Sequence, residues 1–362
     1  MNHSNETYTD YDEFQLSQNS TAKNQIWSTY DYVSSCIWYI TGSVSIPANL
    51  YLLFLIMRKS PRSLRIYRIF MANVALGDLV FGLSTTLAQI RIIPNRWAFA
   101  YVSLGMAGKI GGPQGGYWMY CVMLHSLFYT FLCFPISFGF RYWILIRPVP
   151  TARQCSLFCF GLWLIAFGQH ILFIESQAPE ERIREYLKEN KPQYDLDAFP
   201  VSGNHMLEQK LTVITLFSIV LPMFPIYVIV IYFYKKVHKF LTMNNSNMSP
   251  GTIKGHRRLI QALTVQAALP LFFIFPPINL YFVYHLELIN YTIIEYLVYT
   301  IFSFLPACSP LVTIYYVKPY NQATRKFLGM RAEIDDFNAT TYAEHTSRGV
   351  DPNSGPKASN IS

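Results

Sequence analysis

The chain has 362 residues, of which 52% are hydrophobic and only 14% charged. Soluble domains typically carry about 25% charged residues, so this composition excludes a soluble globular protein. The formal net charge of +8 does not point to nucleic acid either: the cations sit in short links beside apolar runs, where topology and anionic lipid account for them, and no zinc-finger, RNP or basic-zipper pattern accompanies them.

The first 35 residues are polar and acidic, with Lys23 against Glu6, Asp10, Asp12, Glu13 and Asp31. This stretch reads as a disordered tail, with glycosylation sequons at Asn2, Asn5 and Asn19. No cleavable signal precedes the first apolar run, Cys36–Met57, which is long enough to stay in the membrane. The link after it carries Arg58, Lys59, Arg62, Arg65 and Arg68 and no acid.

The second run, Ile69–Gln89, holds Asp78, an acid deep in a span. A charge at mid-bilayer costs roughly 2.5–3.5 kcal/mol on insertion scales. Asp78 is therefore expected to face the bundle interior, as an ion- or water-linked switch or as a protonated acid bonded to a hydroxyl such as Ser84 or Ser309. The loop 91–116 is rich in glycine around Pro113 and predicts irregular backbone.

The third run, Tyr117–Phe138, brings His125 and Tyr129 and ends at Arg141-Tyr142. Arg141 either snorkels to the lipid surface or contacts a partner protein where the inner helix ends converge. The fourth run, Cys155–Phe173, is the shortest and contributes Gln169 and His170. The six cysteines lie in or at the ends of the runs, and read as apolar-facing thiols rather than an extracellular disulfide framework.

In the highly charged loop 174–210, Glu180 and Arg184 are spaced for a helical ion pair, and Ile183 and Leu187 share a face. A short surface helix over 179–190, ended by Pro192, and a solvated loop are both compatible with that pattern. The fifth run, Leu211–Tyr234, leads into the basic link 235–258 with Lys235, Lys236 and Arg257. The sixth, Leu259–Tyr281, contains Asn279. The seventh, Ile293–Tyr316, contains Glu295, Tyr296, Tyr299 and the pair Ser309-Pro310. Prolines recur inside the runs, where each removes a backbone hydrogen bond and predicts a kink. Residues 321–362 read as a largely disordered tail.

At ~1.5 Å rise per residue, runs of roughly 20 residues cross a ~30 Å hydrocarbon layer. The sequence thus predicts an all-α membrane protein: a seven-helix receptor domain over 36–320 between two tails. The basic links put the N-terminus outside and the C-terminus in the cytoplasm, the architecture of a G-protein-coupled receptor. A ligand pocket is expected toward the outer halves of the spans, lined by Gln89, His125, Tyr129, Gln169, His170, Asn279, Tyr296 and Tyr299. The 16% aromatic content makes such a cavity mostly apolar and suits it to small volatile or amphipathic molecules. The expected switch residues are Asp78, Ser309 and Pro310. The expected G-protein contacts are Arg65, Arg141, Tyr142, Lys235, Lys236 and Arg257. No catalytic motif, metal site or cofactor loop is recognisable. The alternative is a seven-helix ligand-gated odorant channel, whose insect-type topology has the N-terminus inside, against the charge distribution here.

Several segments resemble a known family. They are Ile46-Pro47-Ala48-Asn49-Leu50 with Lys59-Ser60-Pro61-Arg62-Ser63-Leu64-Arg65, Arg91-Ile92-Ile93-Pro94, and Ser137-Phe138-Gly139-Phe140-Arg141-Tyr142 with Arg147-Pro148. Ala262-Leu263-Thr264-Val265-Gln266, Ser309-Pro310 and Val317-Lys318-Pro319-Tyr320 complete the set. In order and spacing over most of residues 40–325 they resemble the nematode serpentine chemoreceptors of class delta. That resemblance implies a chemosensory receptor in the plasma membrane of sensory cilia, coupled to a heterotrimeric G protein. It also implies roles in switching and G-protein contact for Asp78 and Arg141. The sequence departs from rhodopsin-like receptors at Phe140, where an acid usually precedes the arginine, and at Ser309, where an asparagine usually precedes the proline.

Overall fold

The computed structural model describes residues 28–330, except residues 62, 63, 65, 96, 193, 195, 196, 198, 244–249, 287 and 290. The sequons at Asn2, Asn5 and Asn19 and the expected contact residue Arg65 lie outside the described residues. Among the described residues, seven spans are long and apolar enough to cross a membrane. The first five comprise α1 (Thr29–Lys59), α2 (Tyr67–Ala88), α3 (Met106–Ile146), α4 (Ala152–Glu175) and α6 (Lys210–Met243). The sixth is split into α7 (Pro250–Phe273) and α8 (Phe275–His285), and the seventh into α9 (Ile294–Phe302) and α10 (Leu305–Tyr316).

Both splits fall beside prolines (Pro270, Pro276 and Pro277 in one, Pro306 in the other), as the loss of backbone donors predicts. Freed or weakly bonded carbonyls in such breaks need other partners. Asn49 of α1 donates its amide to the Pro306 carbonyl at 2.9 Å, and Trp38 donates its indole N–H to the Tyr299 carbonyl at 3.2 Å. These bonds also fasten α1 to the seventh span.

α1 starts before the first apolar run because Ser28 caps it. The Ser28 hydroxyl accepts from the Asp31 N–H, and the Asp31 carboxylate accepts from the Ser28 N–H at 2.8 Å, a reciprocal capping box. α3 is the central helix, packed against α2, α4 and α6. Its first turns are set off by Gly112, whose φ of 61° lies in the left-handed region that glycine adopts without steric cost.

The expected irregular backbone of loop 91–116 is corrected in both halves: from Met106 onward the chain already belongs to α3, interrupted at Gly112, and the first half is strand. Residues β1 (Ile90–Asn95) and β2 (Ala98–Ser103) form an antiparallel hairpin, joined by β3 (Val201–His205) from the charged loop. Backbone pairing with a segment a hundred residues away decides this, and glycine content does not report on it. The surface helix is present as α5 (Glu180–Asn190), with the Arg184–Glu180 ion pair at 2.8 Å and with Ile183 and Leu187 buried. α5 packs against all three strands, and the ends of α3 and α9 also meet the sheet. The result is a cap over one end of the bundle.

The cap is tight. A Cβ added to Gly203 would stand 2.3 Å from the Phe99 carbonyl oxygen and 3.1 Å from Ile183. Because the first of these is backbone of the paired strand, Gly203→Val is expected to lower stability by about 1–3 kcal/mol, read as a lower thermal midpoint of the purified receptor. At the opposite, basic end, α11 (Lys318–Phe327) follows the seventh span as an amphipathic helix and carries ordered structure past residue 320 into the expected tail. Its Tyr320 is fully buried and bonds the Ser60 hydroxyl at 2.7 Å.

Candidate functional site

Three polar constellations interrupt the apolar bundle. The first lies under the cap. Glu295 of α9 is completely buried and both of its carboxylate oxygens are engaged. Oε2 accepts from Arg91 Nε at 2.8 Å and pairs with Nη2 at 2.6 Å, while Oε1 accepts from the hydroxyls of Tyr194 at 2.7 Å and Tyr284 at 2.8 Å. Asp31, at the start of α1, stands 3.8 Å from the same guanidinium and accepts from Tyr296 Oη at 2.7 Å. Arg91 is further sandwiched by the rings of Tyr194 and Tyr296, at 5.0 and 4.7 Å. Burial is the strongest single influence on Arg91 and lowers its pKa, but the Glu295 carboxylate together with the Tyr296 and Tyr194 phenols outweighs it, and the net direction is upward. Burial and then Glu295 push the Tyr194 phenol up to about 12. Arg91 is thus a permanent cation that ties together α1, β1, the loop after α5, α8 and α9.

Beneath it, Tyr101 of β2 packs on Tyr120 of α3, whose hydroxyl bonds that of Tyr299. Gln89, left-handed at the end of α2, accepts from Ser35 at 3.0 Å. Of the expected pocket residues, this region gathers Gln89, Tyr296 and Tyr299. Asp31, Arg91, Tyr101, Tyr120, Tyr194 and Tyr284 were not anticipated. One signal was available: Arg91 is a cation on the acidic side of the chain, against the charge bias, and such a residue needs buried partners.

The second constellation lies between α3 and α4. His125 packs edge-on to His170 at 5.4 Å and to Trp163 at 6.1 Å, and lies parallel to Tyr129. His170 Nδ1–H donates to the Cys121 carbonyl at 3.1 Å, and Tyr129 donates to Asn73 of α2 at 3.0 Å. Gln169 is buried with neither its amide oxygen nor its amide nitrogen hydrogen-bonded, and His125 Nδ1 is also buried without a partner. Unpaired buried polar atoms cost about 1–3 kcal/mol each, so this α3–α4 interface holds hydrogen-bonding capacity in reserve. The expected pocket residues are therefore divided between two places. Asn279 joins neither: it is exposed on α8 and its amide turns back to the Phe275 carbonyl at 2.7 Å. That local bond satisfies it without an interior partner.

The third constellation runs from mid-bundle to the basic end. Asp78 is buried and lines a cavity of about 10 Å³, room for one water, with Ser137, Gln266 and Thr313. Of its two candidate hydroxyl partners, Ser309 faces the carboxyl, while Ser84 bonds its own helix at Phe81. Gln266 of α7 joins the cluster by donating to the Ser309 hydroxyl at 3.1 Å and to Thr313 at 2.8 Å. Pro310 is buried beside them in α10.

Arg141, at the end of this run, is held inside the bundle. It is only 2% exposed, and its guanidinium carbon sits 3.3 Å from the centre of the Tyr67 ring. Its Nε and Nη2 are buried without hydrogen-bond partners. Tyr67 in turn stacks on Phe140, which packs on Phe70 at 4.6 Å. With Phe140 preceding the arginine, the face of Tyr67 holds the cation instead of a carboxylate. Lys235, Lys236 and Arg257 are exposed, and Tyr142 is half-buried against Phe233.

The family description "Serpentine type 7TM GPCR chemoreceptor Srd" matches residues 34–326. Among similar proteins, the serpentine receptor class delta-3 of Caenorhabditis elegans is 27% identical over 329 residues, covering 89% of this chain and 95% of that protein. The class delta-18 receptor of the same nematode is 28% identical over 284 residues, covering 77% of this chain and 84% of its own length. The class delta-33 receptor is 28% identical over 311 residues, covering 83% and 90%. A seven-span bundle with a match over most of its length places the chain plainly: it belongs to the Srd family of serpentine seven-transmembrane chemoreceptors, and is a multi-pass membrane protein.

Proposed function

We propose that this chain is an odorant-type receptor of the plasma membrane of a sensory cilium, binding a small molecule from the capped side and signalling to a heterotrimeric G protein at the basic side. The capped side faces outward in this reading, because the links at the other end carry cations without acids. One observation carries the proposal: a buried arginine at the basic end, stacked under Tyr67 with two nitrogens unsatisfied. Such a group has little to lose by moving out to an acceptor on a partner. Its displacement would expose a cation among Lys235, Lys236 and Arg257, with Tyr142 beside it.

Ligand binding selects between packings that already exist. The unpaired atoms of Gln169 and His125 supply hydrogen bonds to a ligand that few other interior groups can offer, with His170 and Tyr129 shaping the wall. Tyr296, Tyr299 and Gln89 link the cap to the same helices. Asp78, with Ser309 and Pro310, sits on the route from α2 to the seventh span and is assigned the switch.

A screen of volatile and amphipathic compounds, in cells expressing the receptor with a promiscuous G protein and a calcium readout, tests the proposal. An agonist whose potency falls about tenfold or more in Gln169→Leu or His125→Ala, an effect of one lost hydrogen bond, supports the α3–α4 assignment. Equal potency in both variants across several agonists removes it.

A further inference from the structure

A cavity of about 500 Å³ opens on the flank of the bundle at its basic end, between α3, α4 and α6. That lies within the ~300–1,000 Å³ typical of small-molecule sites. Its floor is Phe70, Ile136 and Phe140, and its walls are Phe158 of α4 and Ile229 and Phe233 of α6. Phe158 and Ile229 are 53% and 42% exposed, so the opening faces outward from the bundle, into the hydrocarbon of a surrounding bilayer. Toward the basic end it is edged by Trp143, Pro150 and Gln154.

The edge is cationic. Arg147 lies 5.2 Å over the Trp143 ring, Arg153 is the exposed neighbour of Gln154, and Lys236 stands 5.5 Å over Tyr232, next to Phe233. No acidic residue occurs in either link that supplies these cations. Apolar walls alone do not select an occupant inside a membrane, since lipid tails are as apolar as the lining. Rigid aromatic walls with a positive rim do select one, because the charge is placed where a headgroup would stand.

We propose that this groove is a binding site for an acidic phospholipid, with one acyl chain in the cavity and the phosphate at Arg147, Arg153 and Lys236. The chain would lie against the outer faces of Phe140 and Phe70, whose rings brace the Tyr67 that covers Arg141. An occupied groove therefore supports the sequestered position of Arg141. The site does not depend on the identity of the odorant.

The test uses the full-length receptor in nanodiscs, with phosphatidylserine or phosphatidylcholine bearing a diazirine on the acyl chain and crosslinks mapped by mass spectrometry. Label is expected to concentrate on α4 and α6 around Phe158, Ile229 and Phe233, and to favour phosphatidylserine. Arg147→Gln, an exposed position, should reduce that preference about fivefold, the loss of one basic contact to an anionic headgroup. Ile229→Trp, checked for an unchanged thermal midpoint, should remove groove label while label at Phe217 and Phe224 persists. Even labelling of all lipid-facing helices, equal labelling by both lipids, or an unchanged preference in Arg147→Gln would overturn the proposal. Displacement of the phospholipid label by added cholesterol would overturn it in favour of a sterol.

Discussion

Glu295→Ala is expected to destabilise the receptor by about 3–5 kcal/mol, the cost of breaking a buried pair by removing one partner. The side chain is fully buried and both oxygens are used, by two guanidinium nitrogens and two phenols. Its loss would leave the Arg91 cation with Asp31 at 3.8 Å and orphan the hydroxyls of Tyr194 and Tyr284. Against a typical total of about 5–15 kcal/mol, that is a large share, and both thermal midpoint and surface expression should fall. Glu295→Gln should cost less, because an amide oxygen still accepts one phenol. The double variant Arg91→Gln/Glu295→Gln should be less damaging than the sum of its parts, since the two charges of the close pair are removed together and only Asp31, 3.8 Å from the guanidinium, loses a cation. An unchanged midpoint in Glu295→Ala would mean that the cap does not depend on this pair.

Arg141→Met is expected to act in opposite directions on stability and signalling. Burying a guanidinium with two nitrogens unsatisfied is costly; methionine has a similar reach and no charge. Even after losing a cation–π contact worth up to about 2 kcal/mol, the variant should be more stable by about 1–2 kcal/mol. Ligand-evoked G-protein activation should be abolished, because the cation proposed to meet the partner is gone. Tyr67→Ala makes the converse prediction: removing the covering ring should raise basal signalling. A less stable Arg141→Met that still signals would contradict both halves.

The spans were legible because the bilayer imposes length and apolarity on each. The run Ile69–Gln89 differs from α2 by only a few residues, and α6 extends beyond Tyr234 to Met243 because a helix continues into water while its apolar run stops. α5 was legible from Glu180, Arg184, Ile183 and Leu187, a local i,i+4 pattern. The sheet was not. β1 contains Pro94 and Arg91, β3 reads Val-Ser-Gly-Asn-His, and neither alternates like an amphipathic strand. Helix rotation was also hidden, since a helix that is apolar all round carries little sign of which face turns inward. Gln169 and Asn279 are chemically alike, yet one is buried and the other exposed. The contacts of Arg91 were hidden as well, since its partners come from three other segments.

Receptor function in this reading requires the capped end to face outward and the basic end to meet the cytoplasm, and epitope accessibility tests this most directly. Receptors tagged before Met1 or after Ser362 are stained in intact and then permeabilised cells. Staining of the first tag in intact cells, and of the second only after permeabilisation, is the predicted result. The reverse pattern would contradict the outward pocket, the docking role of Arg141 and the G-protein reading together.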